Sequence, residues 1–561
     1  GLAGSKKAKN PNLPLADLES ARMDGEAALL EILLETTQRS EPALRRDLAR
    51  EVDMEDLGRV LLVCGGDMDL AERIRPFANL LRTDAWGEPI VYRANSFMVT
   101  MGADRRETGT HYTPKSLTEN IVSITLEPAA YVGPAEEYPR NKWRLKSSPE
   151  LLNLKICDPA MGSGAFLVQA CRWLGERLVE AWAYEECAGK LISIDGEVLE
   201  VLADAEPMPN RIEDRLVIAR RLVADRCVYG VDINPLAVEL AKLSIWLVTL
   251  AKGRPLGFLD HNLRHGDSLL GIHRLDQITK LRLNPDDGPH QERIFGQDMA
   301  RAVAVAVEIR KRLRTVPIRD VRDIETMARL EAEARNRLES IELVADAMVS
   351  AVFRANGNTR TIDSALDFLA MQAGQYLNSD DKIGETLAAM ARQALSLDLP
   401  SHKPPRKPFH WPLEFPEVFQ RENCGFDAIV GNPPFSGGRL VGRRFGLTYQ
   451  EYLKFVRSGV VGSPDLCVYF HLRAFGLLAS RGHYGLLATK SITETGSRVV
   501  CLDQIMGLGG TIHRAHSRFP WPGNAAVVVS IVWVAKGDWQ GQRVLDDRVV
   551  STINGALEED F

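Results

Sequence analysis

Residues 426 to 435 read Phe426-Asp427-Ala428-Ile429-Val430-Gly431-Asn432-Pro433-Pro434-Phe435. The first half is a short apolar run, which predicts a buried parallel strand. Two consecutive prolines lack the N–H groups that a strand ladder needs, so the strand must end there in a rigid, extended loop. The sequence therefore predicts a strand whose end presents the amide of Asn432 and the ring of Phe435.

This loop offers acceptors for an amino group and a ring for stacking. The amide oxygen of Asn432 and the carbonyl of Pro433 can accept both hydrogens of an exocyclic amino group. The ring of Phe435 can stack on the base that carries this group. Asn-Pro-Pro is also common in plain turns, so the interpretation depends on the sequence upstream.

Upstream, three acidic residues each follow a predicted strand. Leu154–Cys157 leads into Asp158-Pro159-Ala160-Met161-Gly162-Ser163-Gly164, Val228–Val231 leads into Asp232-Ile233-Asn234-Pro235, and His265-Gly266 leads into Asp267-Ser268. Helical patterns follow the first two, to about Trp182 and Leu250. This alternation predicts a doubly wound α/β sheet, whose glycine loop lets the backbone approach a ligand.

The three acids suit a zwitterionic nucleoside ligand. An acid in the position of Asp158 repels a pyrophosphate but suits an ammonium group, and the glycine spacing is not that of a dinucleotide site. Asp232 is placed to hold two ribose hydroxyls, and Asp267 to accept from an adenine amino group. The alternative is an α/β core whose acids only cap helices.

The segment Gly109-Thr110-His111-Tyr112-Thr113-Pro114 precedes the first strand. Its hydroxyls and aromatic ring could clasp a small polar ligand. An equally good interpretation is a capped helix start, with Thr113 as N-cap and Pro114 at the first helical position.

Composition limits the class of protein. The chain has 561 residues, 45% hydrophobic and 26% charged, as in soluble globular proteins with several lobes. A net charge of −6 confines any nucleic-acid surface to a local patch. Eight cysteines without a Cys-x-x-Cys pair predict buried thiols in a reducing compartment. With no signal peptide, membrane-spanning run or metal cluster in the sequence, we expect a cytoplasmic protein without a metal site.

Helical spacing marks two further regions. Apolar residues on one helix face from Leu15 to about Leu81 predict a helical N-terminal lobe. The long stretch between Asp267 and Asn432 keeps helical spacing as well, with an early helix from about Met299 to Leu313. We therefore predict a helical insertion, packed on the core or against a partner.

Basic residues and tyrosines follow the Asn-Pro-Pro-Phe loop. Arg439, Arg443, Arg444 and Lys454, mixed with Tyr449 and Tyr452, form a pattern suited to phosphate contacts. For Lys454 a solvated helix is an equally good interpretation. Tyr484–Ala488 and Ala525–Val534 predict two more strands, the second being the last of the core. Phe519 and Trp521 could line a base pocket or pack in the core.

Together these motifs resemble those of gamma-type amino-group DNA methyltransferases, in which the cofactor loop precedes the catalytic loop. The chain is similar in particular to the large adenine methylases of phage-defence systems such as BREX and DISARM and to type IIG restriction enzymes. The segment His410-Trp411-Pro412-Leu413-Glu414-Phe415-Pro416 and the long insertion are also similar to those proteins.

The resemblance implies a Rossmann-like doubly wound α/β core that uses S-adenosylmethionine and methylates adenine N6 in double-stranded DNA after base flipping. It implies host-DNA marking in a phage-defence or restriction–modification system. Cofactor-binding residues would be Thr110, Tyr112, Thr113, Pro114, Asp158, Pro159, Ala160, Gly162, Gly164, Asp232, Ile233, Asp267 and Ser268. Catalytic residues would be Asn432, Pro433, Pro434 and Phe435, and DNA-binding residues Arg439, Arg443, Arg444 and Lys454.

Other substrates and roles remain open on sequence grounds. RNA-guanine and protein-glutamine methylases also use an Asn-Pro-Pro-aromatic loop, and a non-catalytic DNA-binding assembly subunit could retain the fold. We predict an N-terminal lobe (1–100), a cofactor half (101–279), the insertion (280–400), a catalytic half (401–540) and the start of a linker or C-terminal region (541–561). Because few residues follow the predicted last strand, we expect a protein partner or a further C-terminal domain to read the DNA sequence.

Overall fold

The structure, a computed structural model, forms two compact units, Gly1–Glu107 and Thr108–Phe561. It describes residues 2–5, 8, 11–84, 87–92, 113–202, 205–250, 258–285, 296–316, 320–377, 381–401, 403–456, 462–522 and 528–560. Among the helices in these ranges, none is both long enough and apolar enough to cross a membrane. All eight cysteines lie in these ranges and are free thiols, six of them buried and two, Cys187 and Cys424, exposed.

The first unit is helical. It contains α1 (Leu15–Met23), α2 (Glu26–Thr37), α3 (Glu41–Ala49), α4 (Met54–Val63), α5 (Met68–Ile74) and a 3-10 helix (Arg75–Leu80). Leu30 and Leu33 of α2 are buried in one apolar cluster with Leu44 of α3 and Phe77. The helices of this unit thus pack around an apolar cluster of their own.

The second unit is built on strands joined by helices. Its helices are α6 (Lys115–Ala130), α7 (Ser148–Leu152), α8 (Ala165–Cys187), α9 (Ile212–Arg226), α10 (Pro235–Thr249), α11 (Leu275–Thr279), α12 (Gly296–Thr315), α13 (Val321–Ala355), α14 (Thr359–Leu377), α15 (Asp381–Leu395), α16 (Trp411–Glu414), α17 (Pro416–Phe419), α18 (Gly438–Phe445), α19 (Leu447–Val456), α20 (Leu466–Leu477), α21 (Thr495–Val500) and α22 (Leu502–Gly507). Its strands are β1 (Tyr131–Val132), β2 (Arg144–Leu145), β3 (Ile156–Asp158), β4 (Leu191–Ile192), β5 (Val198–Leu199), β6 (Val228–Asp232), β7 (Leu263–His265), β8 (Phe426–Gly431), β9 (Leu478–Thr489), β10 (Gly510–Pro520), β11 (Val528–Lys536), β12 (Arg543–Leu545) and β13 (Arg548–Val550).

Nine of these strands form one central sheet, in the order β13-β12-β10-β11-β9-β8-β3-β6-β7. Strands β7, β6, β3, β8 and β9 run parallel, and β11 pairs antiparallel with both β9 and β10. Every residue of β3 is buried, as expected for parallel strands covered on both faces. The predicted Rossmann-like doubly wound α/β fold is confirmed.

The structure differs from the sequence prediction at two places in the sheet. Strand β10 is not predicted, because polar residues such as Thr511 and Arg514 interrupt its apolar pattern. The prediction that the last strand ends near Val534, with a linker or C-terminal region from residue 541, is wrong. Strand β12 pairs with β10, and β13 pairs with β12, so the sheet continues almost to the end of the described residues. Three-residue strands are too short to show a period.

The insertion consists of helices α12 to α15 and packs on the core. Met348 of α13 shares a buried apolar cluster with Leu270, in the loop after β7, and with Val441 of α18. Buried ion pairs add to this contact. Arg310 of α12 lies 3.2 Å from the Glu417 carboxylate and 3.0 Å from that of Glu331.

Candidate active site

The acidic residues predicted at strand ends do lie at one edge of the sheet. Asp158 ends β3, Asp232 ends the neighbouring β6, and Asp267 follows β7 beyond it. Asn432 follows β8, on the other side of β3. Parallel strands present their carboxyl ends at the same edge of the sheet. In doubly wound folds, ligands bind at this edge, at the point where the strand order reverses. The fold thus brings the four side chains to one edge.

Asp158 lies in the centre of this edge and is almost inaccessible, with 1% exposure. Its Oδ1 accepts the Ala160 N–H at 3.0 Å. Burial raises the pKa of this carboxyl to about 8; the Ala160 N–H opposes the rise, and the neighbouring Asp232 adds to it. A Cβ atom on Gly431 of β8 would lie only 2.7 Å from Asp158 Oδ1, so a larger residue there would displace the carboxyl.

Asp232 connects the second strand to the glycine loop. Its Oδ2 accepts the Gly162 N–H at 2.9 Å and its Oδ1 accepts the Asn234 N–H at 2.8 Å. Burial raises the pKa of Asp232, against these two hydrogen bonds. Gly162 and Gly164 both have positive φ values, 54° and 82°, which glycine adopts at little cost. The loop is therefore held at the ends of β3 and β6, next to the half-exposed Ile233.

Asp267 accepts three hydrogen bonds on one oxygen. Its Oδ1 accepts from the N–H groups of Leu269 (3.0 Å) and Leu270 (3.4 Å) and from the hydroxyl of Tyr449 (3.2 Å). Its Oδ2 is buried without a hydrogen-bond partner among the described residues. Burial raises the pKa of this carboxyl. A buried acceptor without a donor is costly, which is typical of a site that completes itself with a ligand.

Ser268 joins this loop to the one after β3. Its hydroxyl donates to the Pro159 carbonyl at 2.5 Å, and its own carbonyl accepts the Trp411 indole N–H at 3.1 Å. The segment predicted as a family feature, His410 to Pro416, is thus part of the support for the site.

Asn432 presents a similar free acceptor on the other side of Asp158. Its Nδ2 donates to the Thr113 hydroxyl at 3.2 Å, whereas its Oδ1 is buried without a partner in the described part of the chain. Thr113 does not cap α6, because Pro114 is the N-cap residue and no side chain caps that helix end. The capped-start interpretation is therefore wrong. Thr110 and Tyr112 lie outside the described residues.

Three aromatic rings that were candidates for a base pocket pack in the core instead of standing free. Phe435, Phe519 and Trp521 are all half-buried and pack against one large apolar cluster. Pro433 is buried and Pro434 half-buried, so the loop is held in place by packing.

The basic residues after the loop differ in their environment. Arg439, Arg443 and Arg444 are exposed on α18. Lys454 of α19 is half-buried and forms an ion pair with Glu451 at 2.8 Å. The three arginines are therefore available to a ligand, whereas Lys454 is already engaged.

The sequence suggested that Tyr449 and Tyr452 belong to an exposed basic edge. This prediction is wrong. Both are buried, and their hydroxyls contact the loop after β7: Tyr449 donates to Asp267, and Tyr452 accepts the Gly271 N–H at 3.1 Å. The sequence holds one signal for this burial that the prediction did not use: Tyr449 and Tyr452 lie at helical spacing with the apolar Leu453 and Val456, which is typical of a buried face. It did not indicate the partner.

The fold is Rossmann-like, and its parallel strands end in a cluster of acidic and amide side chains at one edge of the sheet. Residues 226–504 match the family model described as Eco57I restriction-modification methylase. This part of the chain is thus similar to the restriction–modification methylases that this family model describes.

One curated relative is a protein of Methanocaldococcus jannaschii, RM.MjaORFECS2P, named as a type II restriction enzyme and methyltransferase. It is 25% identical over 443 residues, which are 70% of this chain and 32% of the relative. The chain thus spans about a third of the length of that relative.

Two solved structures with similar folds are complexes with DNA. The type IIL restriction-modification enzyme MmeI aligns with 100% of this chain and 62% of its own, at 14% identity and a TM-score of 0.38. The DrdV–DNA complex aligns with 94% of this chain and 35% of its own, at 12% identity and a TM-score of 0.31.

Proposed function

We propose that this protein transfers a methyl group from S-adenosylmethionine to the N6 amino group of a flipped adenine in double-stranded DNA, as part of a restriction–modification or phage-defence system. The observation that carries the proposal is the amide of Asn432. Thr113 holds its Nδ2, and its buried Oδ1 has no partner among the described residues. Because Thr113 accepts from Nδ2, the amide is oriented with its oxygen as an available acceptor, which suits an amino group.

The residues at the strand ends fit the cofactor. When bound, S-adenosylmethionine supplies a methyl group on a positively charged sulfur. Asp158 would hold its ammonium group, Asp232 its ribose hydroxyls, and the free Oδ2 of Asp267 the amino group of its adenine. The backbone of the glycine loop, from Pro159 to Gly164, would border the ligand.

The target base would be bound on the opposite side of Asp158. Asn432 Oδ1 and the Pro433 carbonyl would accept the two N6 hydrogens, which orients the nitrogen lone pair, and Phe435 would stack on the base. The amino group of a paired adenine is not accessible within a duplex, so the base must be extruded. The exposed arginines of α18 would contact the phosphates. Recognition of the DNA sequence by a protein partner or a C-terminal domain stays a prediction.

A methylation assay tests this function. The protein is incubated with methyl-labelled S-adenosylmethionine and duplex DNA of mixed sequence, RNA or protein, and the products are digested and analysed by mass spectrometry. We expect N6-methyladenine from DNA. N4-methylcytosine, or labelled RNA or protein instead, contradicts the assigned substrate, and cofactor binding without turnover on DNA indicates a non-catalytic assembly subunit.

Cofactor binding is expected to release a proton. In the free protein the Asp158 carboxyl has a pKa of about 8, so it is mostly protonated at neutral pH. An ammonium group beside it favours the ionised form, so binding near pH 7 should release up to about one proton and become tighter as the pH rises. Calorimetry in buffers of different ionisation enthalpy measures the release. Release that persists undiminished above about pH 9, or in Asp158→Asn, contradicts the assignment.

Arg443 and Arg444 are expected to contribute to DNA binding in a salt-dependent manner. Replacing both with alanine should weaken binding to all duplex sequences and lower the slope of log affinity against log salt concentration by about one for each arginine. Lys454→Ala is the control with a small expected effect, since Lys454 is paired with Glu451. Fluorescence anisotropy titrations at several salt concentrations measure the slopes. Equal slopes for the double variant and the wild type would place the phosphate contacts elsewhere.

A further inference from the structure

The loop from Asp267 to Gly271 is held by one helix, α19, that lies far away in the sequence. Tyr449 of this helix donates its hydroxyl to Asp267 Oδ1, and Tyr452, one turn later, accepts the N–H of Gly271. Both ends of the loop are therefore fixed by tyrosine hydroxyls. Gly271 leaves no room for adjustment, because a Cβ atom there would lie 2.5 Å from the Phe409 carbonyl oxygen.

The Tyr449 ring is itself fixed on its faces. Phe445, the last residue of α18, stacks on it with ring centroids 5.2 Å apart and an angle of 25°. The guanidinium carbon of Arg406 lies 5.9 Å from the ring centroid. Arg406 also donates to the carbonyls of Leu395 and Phe445, so it cannot move away without losing these hydrogen bonds. The Tyr449 hydroxyl is thus presented by a rigid group.

The two carboxylate oxygens of Asp267 therefore differ in their hydrogen bonding. Tyr449 and two backbone N–H groups all donate to Oδ1, while the buried Oδ2 has no donor among the described residues. The charged and titratable groups that interact with this carboxyl are Arg406, Arg473 and Tyr449. Arg473 is buried and donates Nη2 to the carbonyl of Leu269. The two cations favour the ionised carboxylate against its burial.

We propose that Tyr449 is a positioning residue that sets the base selectivity of the cofactor site. By holding Oδ1, it leaves Oδ2 as the acceptor for a purine 6-amino group and rejects a 6-oxo group, whose oxygen would face a carboxylate oxygen. This inference rests on the proposed function, since it assumes that Asp267 contacts the adenine of the cofactor. It adds a residue from the catalytic half of the core to the cofactor site.

The test compares two cofactor products that differ only in the base, S-adenosylhomocysteine and S-inosylhomocysteine, by calorimetry. We expect the wild type to prefer the adenosyl compound by at least about a hundredfold, because a site built for a donor leaves an unpaired polar group when the donor is missing. Tyr449→Phe keeps the ring and removes the hydroxyl, and it should lower this preference about tenfold. Tyr484→Phe is the matched control. It also removes a buried hydroxyl, one that contacts His471 at 3.2 Å, and should leave the preference unchanged.

The outcomes separate this inference from the proposed function. If the wild type binds S-adenosylhomocysteine and Tyr449→Phe keeps the full preference, Tyr449 does not position Asp267, although the function still stands. If Tyr449→Phe weakens both compounds equally, its role is structural only and the inference is again wrong. A wild type that binds neither compound overturns the cofactor assignment as well as the inference.

Discussion

Asn432→Ala is expected to lower the rate of methyl transfer by about 10²- to 10³-fold, the usual effect of removing one preorganised polar group that contacts the reacting atoms. Cofactor affinity should remain within a few-fold of the wild type, because Asn432 lies on the target side of Asp158. Single-turnover rates with labelled cofactor and calorimetry with S-adenosylhomocysteine measure the two effects separately.

Two further variants make this result specific. Asn432→Asp retains an acceptor oxygen, so it should keep more activity than the alanine variant. Thr113→Val removes the hydroxyl that accepts from Nδ2 and should lower the rate by a smaller factor, since the amide can then rotate. Near-normal turnover of Asn432→Ala would show that another residue binds the amino group.

Glu417→Ala is expected to lower the free energy of unfolding of the second unit by about 3–5 kcal/mol, as when one partner of a buried ion pair is removed. Glu417 lies 3.2 Å from Arg310 and 3.0 Å from Arg314, and both guanidinium groups would lose this partner. Chemical denaturation monitored by tryptophan fluorescence measures the loss. Glu308→Ala is the control. The Glu308–Lys311 pair is exposed on α12, the helix that also carries Arg310 and Arg314, and should contribute less than about 1 kcal/mol.

The pH dependence of this difference provides a second check. Burial alone would raise the pKa of Glu417, but Arg310 and Arg314 lower it to about 2. A depressed pKa stabilises the folded state above the ordinary pKa of a glutamate, and this contribution is lost as the pH falls toward about 2. The wild type and Glu417→Ala should therefore converge in stability between about pH 4.5 and pH 2. A constant difference across this range would mean that the Glu417 charge is not what stabilises the contact.

The strand ends could be predicted from the sequence because each signal is local. In each case a short apolar run forms the strand and is followed directly by Asp158, Asp232 or Asn432. The strand, the loop and the polar side chain therefore all lie within about ten residues of each other. The supporting contacts could not be predicted, because their partners are distant in the chain. Thr113 and Asn432 are 319 residues apart, and Asp267 and Tyr449 are 182 residues apart.

The ion pairs between charged residues of the insertion and of the core could not be predicted from the sequence either. Arg310, Glu331 and Glu417 each look like solvated charges on an amphipathic helix or in a loop. Only the packed structure shows that they are buried together. Sequence patterns report periodicity along one element, and they contain no signal for a charge that finds its partner on another.

The order of strands in the sheet has a consequence for synthesis of the chain on the ribosome. Strand β3 pairs with β6 on one side and with β8 on the other, and Ile156 and its β8 partner Ala428 are 272 residues apart in the sequence. At translation rates of about 5–20 residues per second, the apolar edge of β3 stays unpaired for roughly 14 to 55 s before β8 is synthesised. An unpaired edge of this kind is a template for aggregation. The growing polypeptide should therefore depend on chaperones until the segment around Phe426 has emerged.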